Sequence, residues 1–122
     1  MSAARDHERG QATVEFALLL PVLVLALLAV LQVALVVRDH VALVHATREA
    51  ARAASVDPDP SAAVRAAHRT LPGSEVHVGS RPEVGGSITV EVTYTSHTDL
   101  PLVGALFPDP TLRSHAVMRV EK

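Results

Sequence analysis

Arg9-Gly10-Gln11-Ala12-Thr13-Val14-Glu15-Phe16 opens an apolar segment that runs to Val37 and is interrupted only by Pro21 and Gln32. From Phe16 to Val37 the run is as long as the roughly 20 apolar residues a helix needs to cross a bilayer. A carboxylate one residue before that run is penalised by nearby hydrocarbon, and ionisable groups in such positions are functional-site candidates by default. Glu15 therefore has two readings from position alone: an assembly or binding group, or an interfacial carboxylate that reaches back to the headgroups.

The residues before the run are few, polar and nearly charge-balanced, with Arg5 and Arg9 set against Asp6 and Glu8. Residues 1–10 read as a disordered leader. A secretory signal peptide needs a positive start, a shorter apolar core and small residues at a cut site soon after it. Here the run is too long, and Arg38-Asp39-His40 follows it directly. The short leader and the bulk of chain beyond the run place the N-terminus in the cytoplasm and the C-terminal part outside it; the balance of flanking arginines adds only a weak vote.

Beyond Val37 no Gly or Pro occurs until Pro58, and Ala, Leu, Arg and Glu favour helix. The helix is expected from about Thr13 to Ala54, roughly 60 Å at 1.5 Å per residue. In the outer half, Arg38, His45, Glu49 and Arg52 are assigned to a solvated face, and Val41, Leu43, Val44, Ala50, Ala51 and Ala54 to a packing face. Asp57-Pro58-Asp59-Pro60 ends this helix, because each proline disfavours helix in the residue before it. Asp59 then serves as N-cap and Pro60 as first residue of a second helix reaching about Leu71, with Ala63, Val64, Ala67 and Leu71 on one face and Pro72-Gly73 closing it.

From Val76 the period changes to two. Val76 and Val78, then Ile88, Val90, Val92 and Tyr94, then Leu112, Ala116, Met118 and Val120 alternate with polar neighbours, which predicts three strands. Arg81–Gly86 suits a hairpin connection and Leu100–Pro110 a longer loop. The apolar patch Leu102–Phe107 within that loop is core, membrane contact or subunit interface. A three-stranded sheet needs a cover, and the Ala/Val face of the long helix is the nearest candidate. The fold expected is α+β: a leader (1–10), a long helix (11–55) with a membrane span at about 16–37, and a small domain (56–122) with a short helix and a three-stranded antiparallel sheet.

Composition bounds the function classes. In 122 residues, 48% hydrophobic with mean hydropathy +0.27, one membrane helix leaves about 85 residues for a single small core. That is too little for a deep catalytic cleft between domains. With no cysteine, disulfides, thiol chemistry and thiolate zinc sites are excluded. A net charge of -2 and the lack of a basic cluster with interleaved aromatics argue against nucleic acid. The seven histidines, His7, His40, His45, His68, His77, His97 and His115, show no ligand spacing, and no nucleophile elbow, phosphate loop or carboxylate pair suggests catalysis. Neither enzyme activity nor a cofactor is expected. Pro21 kinks the helix or is simply tolerated there, since proline is commoner in membrane helices. Gln32 is a candidate for a hydrogen bond across a helix pair.

Gly10, Glu15-Phe16, Pro21 and Thr47-Arg48-Glu49-Ala50-Ala51-Arg52-Ala53-Ala54 together resemble the TadE-like family of tight-adherence pilus machinery, whose members look like minor pilins or pseudopilins. The resemblance continues into Ile88–Tyr94 and Ala116–Glu121. It implies cleavage by a prepilin peptidase between Gly10 and Gln11, which leaves Glu15 fifth in the mature chain, and an assembly role for Glu15, Phe16 and Pro21. The partners implied are the membrane, the peptidase, other pilins and assembly-platform proteins, with no nucleic acid and no small-molecule substrate. A freed α-amino group has a reference pKa of about 8 and is largely cationic at neutral pH. Pairing with Glu15 of the same or a neighbouring subunit would offset the cost of an ion near hydrocarbon. The alternative reading is a signal-anchored, single-pass envelope protein whose domain binds a partner unrelated to pili.

Overall fold

In the computed structural model one helix, α1 (Ser2–Val56), carries the chain through a length of about 80 Å. The structure describes residues 2–98, 100 and 102–121. After α1 come α2 (Pro60–Thr70), β1 (Glu75–Val78), β2 (Ser87–Thr95), the single turn α3 (Val103–Leu106) and β3 (Thr111–Arg119). The α+β architecture is the one expected, with two differences in extent. Residues 2–10 are helical rather than disordered, because no proline interrupts Ser2–Arg9 and Ala, Arg and Glu carry the helix through the lone Gly10. The loop before β3 contains the turn α3. Pro101 of that loop and the side chain of Val103 in its apolar patch lie outside the described residues.

The stop after α1 and the start of α2 follow the local chemistry of Asp57–Pro60. Asp59 has extended backbone and its Oδ1 accepts the Ser61 N–H at 2.9 Å, with Pro60 as the first helical residue. The Ser61 hydroxyl donates to Asp59 Oδ2 at 2.6 Å. These two bonds, the hydroxyl first, and the Arg65 guanidinium hold the Asp59 carboxyl below its ordinary value. Arg81, reaching back from the β1–β2 connection, donates to the carbonyls of Ala54 and Asp57 and so satisfies the end of α1. Gly73, at φ 81°, turns the chain from α2 into β1.

The sheet is antiparallel in the order β1-β2-β3, with Val78 opposite Val90 and Val90 opposite Ala116. Its inner face presents Ile88, Val90 and Val92, all buried, with Val76, Val78, Tyr94, Leu112, Ala116 and Met118 packed around them. The cover is the second half of α1 together with α2, through Leu43, Ala46, Ala50, Ala51, Ala54, Ala63 and Ala67. Buried positions on α1 are Gln32, Asp39, Leu43, Ala46, Thr47, Ala50, Ala51, Ala54 and Ser55, a single stripe at helical spacing. Val41 is not in it. At 100° per residue it lies far round the helix from Leu43 and is 51% exposed, so its assignment to the packing face is corrected. Val44 is half-buried at the edge, and Arg38, His45, Glu49 and Arg52 are exposed as expected.

Candidate functional site

Two polar pairs fix where the domain sits along α1. Ser96, just past β2, donates from Oγ to Asp39 Oδ2 at 2.6 Å, and both residues are buried. Arg38 holds the other oxygen, Nη2 at 3.0 Å and Nε at 3.3 Å from Asp39 Oδ1. One further step towards the N-terminus, Gln32 Nε2 donates to Thr98 Oγ1 at 3.0 Å. At the opposite end of the sheet the Glu121 N–H donates to the Ser55 carbonyl at 3.0 Å. The strands thus run alongside α1 from Ser55 to Asp39, and the β2–β3 connection hangs beyond them, beside Gln32.

Among the described residues, nothing buries α1 before Gln32 beyond a partial cover at Leu28. From Gln11 to Leu31 every residue is exposed apart from the half-buried Leu28. Leu18, Val22, Leu27 and Val30 are between 62 and 71% exposed, and the most apolar stretch contains no buried residue. The helix is long and apolar enough to cross a membrane. All the residues singled out in the sequence lie on this uncovered part: Gly10, Gln11, Glu15, Phe16 and Pro21. They are strung along one helix rather than gathered into a site. Gln11 and Glu15, four residues apart, share a face, with about 6 Å of axial rise between them. Pro21 sits within continuous helix. Gln32, read as a candidate for bonding between helices, uses its Nε2 within the chain, and its buried Oε1 has no partner among the described residues.

Gly10 has no structural reason to be glycine. A Cβ built on it meets nothing within 4 Å, and among the described residues the positive-φ glycines are Gly73 and Gly85. Its missing side chain leaves a shallow depression bounded by His7, Gln11 and Val14. One turn on, the Thr13 hydroxyl donates to the Arg9 carbonyl at 2.9 Å.

Elsewhere the fold brings together residues whose spacing in sequence hides them. The register sets His77, Glu91 and His115 in one row across the exposed face of the sheet. Their side chains do not converge: among the described residues no group of three His, Cys, Asp or Glu is placed to hold a metal. At the neck of the β2–β3 connection, Asp109 accepts the Thr98 N–H at 2.8 Å and faces His97 Nδ1 at 3.3 Å. The Thr98 amide first, and the His97 ring second, hold the Asp109 carboxyl below its ordinary value.

Residues 10–52, about a third of the chain, are similar to the family model described as TadE-like protein. The match begins at Gly10, covers the whole uncovered apolar stretch and ends within the covered half of α1. No curated protein and no solved structure matches the chain.

Proposed function

We propose, from the TadE-like segment and its placement on a bare helix, that the chain is a minor pilin or pseudopilin-type subunit of a tight-adherence pilus, cut after Gly10 by a prepilin peptidase. The match supports the coarser statement, a pilus-assembly-related protein with a single membrane-anchoring helix. The finer role rests on one observation: Gly10 and Glu15 border an uncovered apolar helix, and nothing inside the fold calls for either residue. Residues 12–31, between Gln11 and Gln32, the first buried residue of α1 among the described side chains, span about 30 Å, the thickness of the hydrocarbon layer. On this reading the span begins somewhat earlier than residue 16, and the N-terminus faces the cytoplasm.

Gly10 makes the helix cheapest to open at the scissile bond, by up to about 1 kcal/mol relative to alanine. Cleavage there frees an amine on Gln11 one turn from Glu15. In a bundle of such helices the amine of one subunit meets the carboxylate of the next, which neutralises both near hydrocarbon and fixes their axial register. The chain itself performs no chemistry in this role.

The test is the mass of the N-terminal peptide of the protein isolated from membranes of its native host. A chain that begins at Gln11 supports the reading. An intact leader overturns it in favour of a signal-anchored envelope protein without a pilus role.

A further inference from the structure

The β2–β3 connection carries an apolar tip that the rest of the chain leaves uncovered. Leu102, Leu106 and Phe107 are 63, 68 and 56% exposed. The loop behind them is closed and built. Ser96 N–H donates to the Pro110 carbonyl at 3.0 Å and Thr98 N–H to Asp109 at 2.8 Å, which pinches the neck. Gly104 N–H donates to the Leu100 carbonyl at 3.1 Å, and a Cβ on Gly104 would stand 2.9 Å from the Thr98 carbonyl oxygen, so the tip is folded tightly against the neck. Leu102 is held at φ 67°, a conformation that favours glycine, yet its side chain buries little against its own chain. A closed loop that keeps a leucine in that conformation and turns it outward presents the side chain to something else.

The position of the tip selects what that is. Thr98 is bonded to Gln32, the first buried residue of α1 among the described side chains, and α3 touches α1. Residues 12–31 before it match the hydrocarbon thickness, so Gln32 marks the level at which the helix leaves the bilayer. We propose that Leu102, Leu106 and Phe107 rest in the interfacial layer of the same membrane, so that the domain stands on the bilayer by a second contact and its tilt relative to α1 is fixed by lipid as well as by protein. The inference rests on the spanning reading given above. Large exposed apolar patches on a soluble face are uncommon, and here α3, which carries Leu106, touches α1. Asp109 at the neck disfavours anionic headgroups, so apolar burial into zwitterionic lipid is the interaction expected.

The chain has no cysteine, so single-cysteine variants of the full protein carry one environment-sensitive fluorophore each. The variants are Leu106→Cys and Phe107→Cys at the tip, Glu91→Cys on the outer sheet face and Leu25→Cys in the span, reconstituted in phosphatidylcholine vesicles. Labels at 106 and 107 should be quenched several-fold more by lipids with a shallow nitroxide than by aqueous iodide, with the opposite order at 91 and deep-nitroxide quenching at 25. Labels at 106 and 107 as open to iodide as the one at 91, with 25 still deep, would overturn the inference and leave the spanning reading standing. Shielding of 106 and 107 from both quenchers would also overturn it, in favour of a second copy covering the tip. Iodide access at 25 would remove the spanning reading and the inference together.

Discussion

Ser96→Ala tests how the β2–β3 end of the domain is held on α1. The substitution deletes one hydroxyl that donates at 2.6 Å to a carboxylate oxygen, with donor and acceptor 1 and 8% exposed. Asp39 keeps Arg38, but on the other oxygen and through a side chain that is 70% exposed, where an ion pair contributes less than about 1 kcal/mol. Its Oδ2 is left nearly buried without a donor. Hydrogen bonds to charged groups contribute about 1.5–3 kcal/mol, so the expected loss is about 2 kcal/mol, or about 10 °C for a domain of this size. Tyr94 is the sole tyrosine in a chain without tryptophan, half-buried two residues from Ser96, and its fluorescence reports domain unfolding in detergent while the spanning helix stays folded.

Asp39→Asn supplies the control. A neutral acceptor retains a bond about half as strong, so Ser96→Ala in that background should cost about 1 kcal/mol, and the cycle should show coupling of about 1 kcal/mol. A loss below about 0.5 kcal/mol in the otherwise unaltered chain would refute the argument that this bond holds the membrane-facing end of the sheet on α1. So would an equal loss in both backgrounds, which would assign the effect to packing of the serine rather than to the carboxylate.

Three further outcomes are expected. Glu15→Ala should leave the protein membrane-inserted and its domain as stable as before, yet poorly incorporated into pili; normal piliation in that variant would sink the register argument. Ala50→Leu inserts three heavy atoms where the α1 face is fully buried, and should destabilise the domain by about 1–3 kcal/mol in denaturant titration, whereas Val41→Leu on the exposed side should be near neutral. The lowered pKa of Asp59 means that its contribution to the α2 cap is present above the ordinary aspartate value and is lost as pH falls through the lower folded value. Asp59→Asn should therefore keep most of the thermal stability while flattening this part of its acid dependence, as followed by melting curves across that range.

The elements that local chemistry determines were legible in the sequence. Asp57-Pro58-Asp59-Pro60 can do little but end one helix and cap another, and the alternation at Ile88–Tyr94 and Leu112–Met118 admits only strands with one buried face. What escaped was set by contacts between distant residues. Asp39 with Ser96 and Gln32 with Thr98 are 57 and 66 positions apart, and each looks like an ordinary solvated residue until the sheet is laid along α1. Arg81 gives no sign in its neighbourhood that it caps a helix ending at Val56. Val41 was misassigned because valine and alanine were pooled into one face, whereas the sheet and α2 read a narrower stripe of Ala, Thr and Ser. The extension of α1 to Ser2 has a different cause: propensity alone carries it, and the charges of the leader gave no reason to expect it.

The two halves of α1 differ in side-chain size for a physical reason that bears on the role. Where α2 and the sheet cover it, the buried stripe beyond Leu43 is mostly small, with Ala46, Thr47, Ala50, Ala51 and Ala54, which lets Ala63, Ala66 and Ala67 approach closely and form a core without large aromatics. Where nothing covers it, the surface is Leu and Val, which bury more area per residue in lipid or against a neighbouring helix without needing a close backbone approach. The proposed processing site falls wholly in the uncovered N-terminal half, about 22 residues and 33 Å before Gln32. On the proposed reading, cleavage after Gly10 and loss of Glu15 act through surfaces that other molecules complete, and neither should alter the packing of the domain. That separation makes a stability-neutral, assembly-defective Glu15 variant decisive: a domain that unfolded on Glu15 substitution would require a contact between the two halves that the fold does not contain.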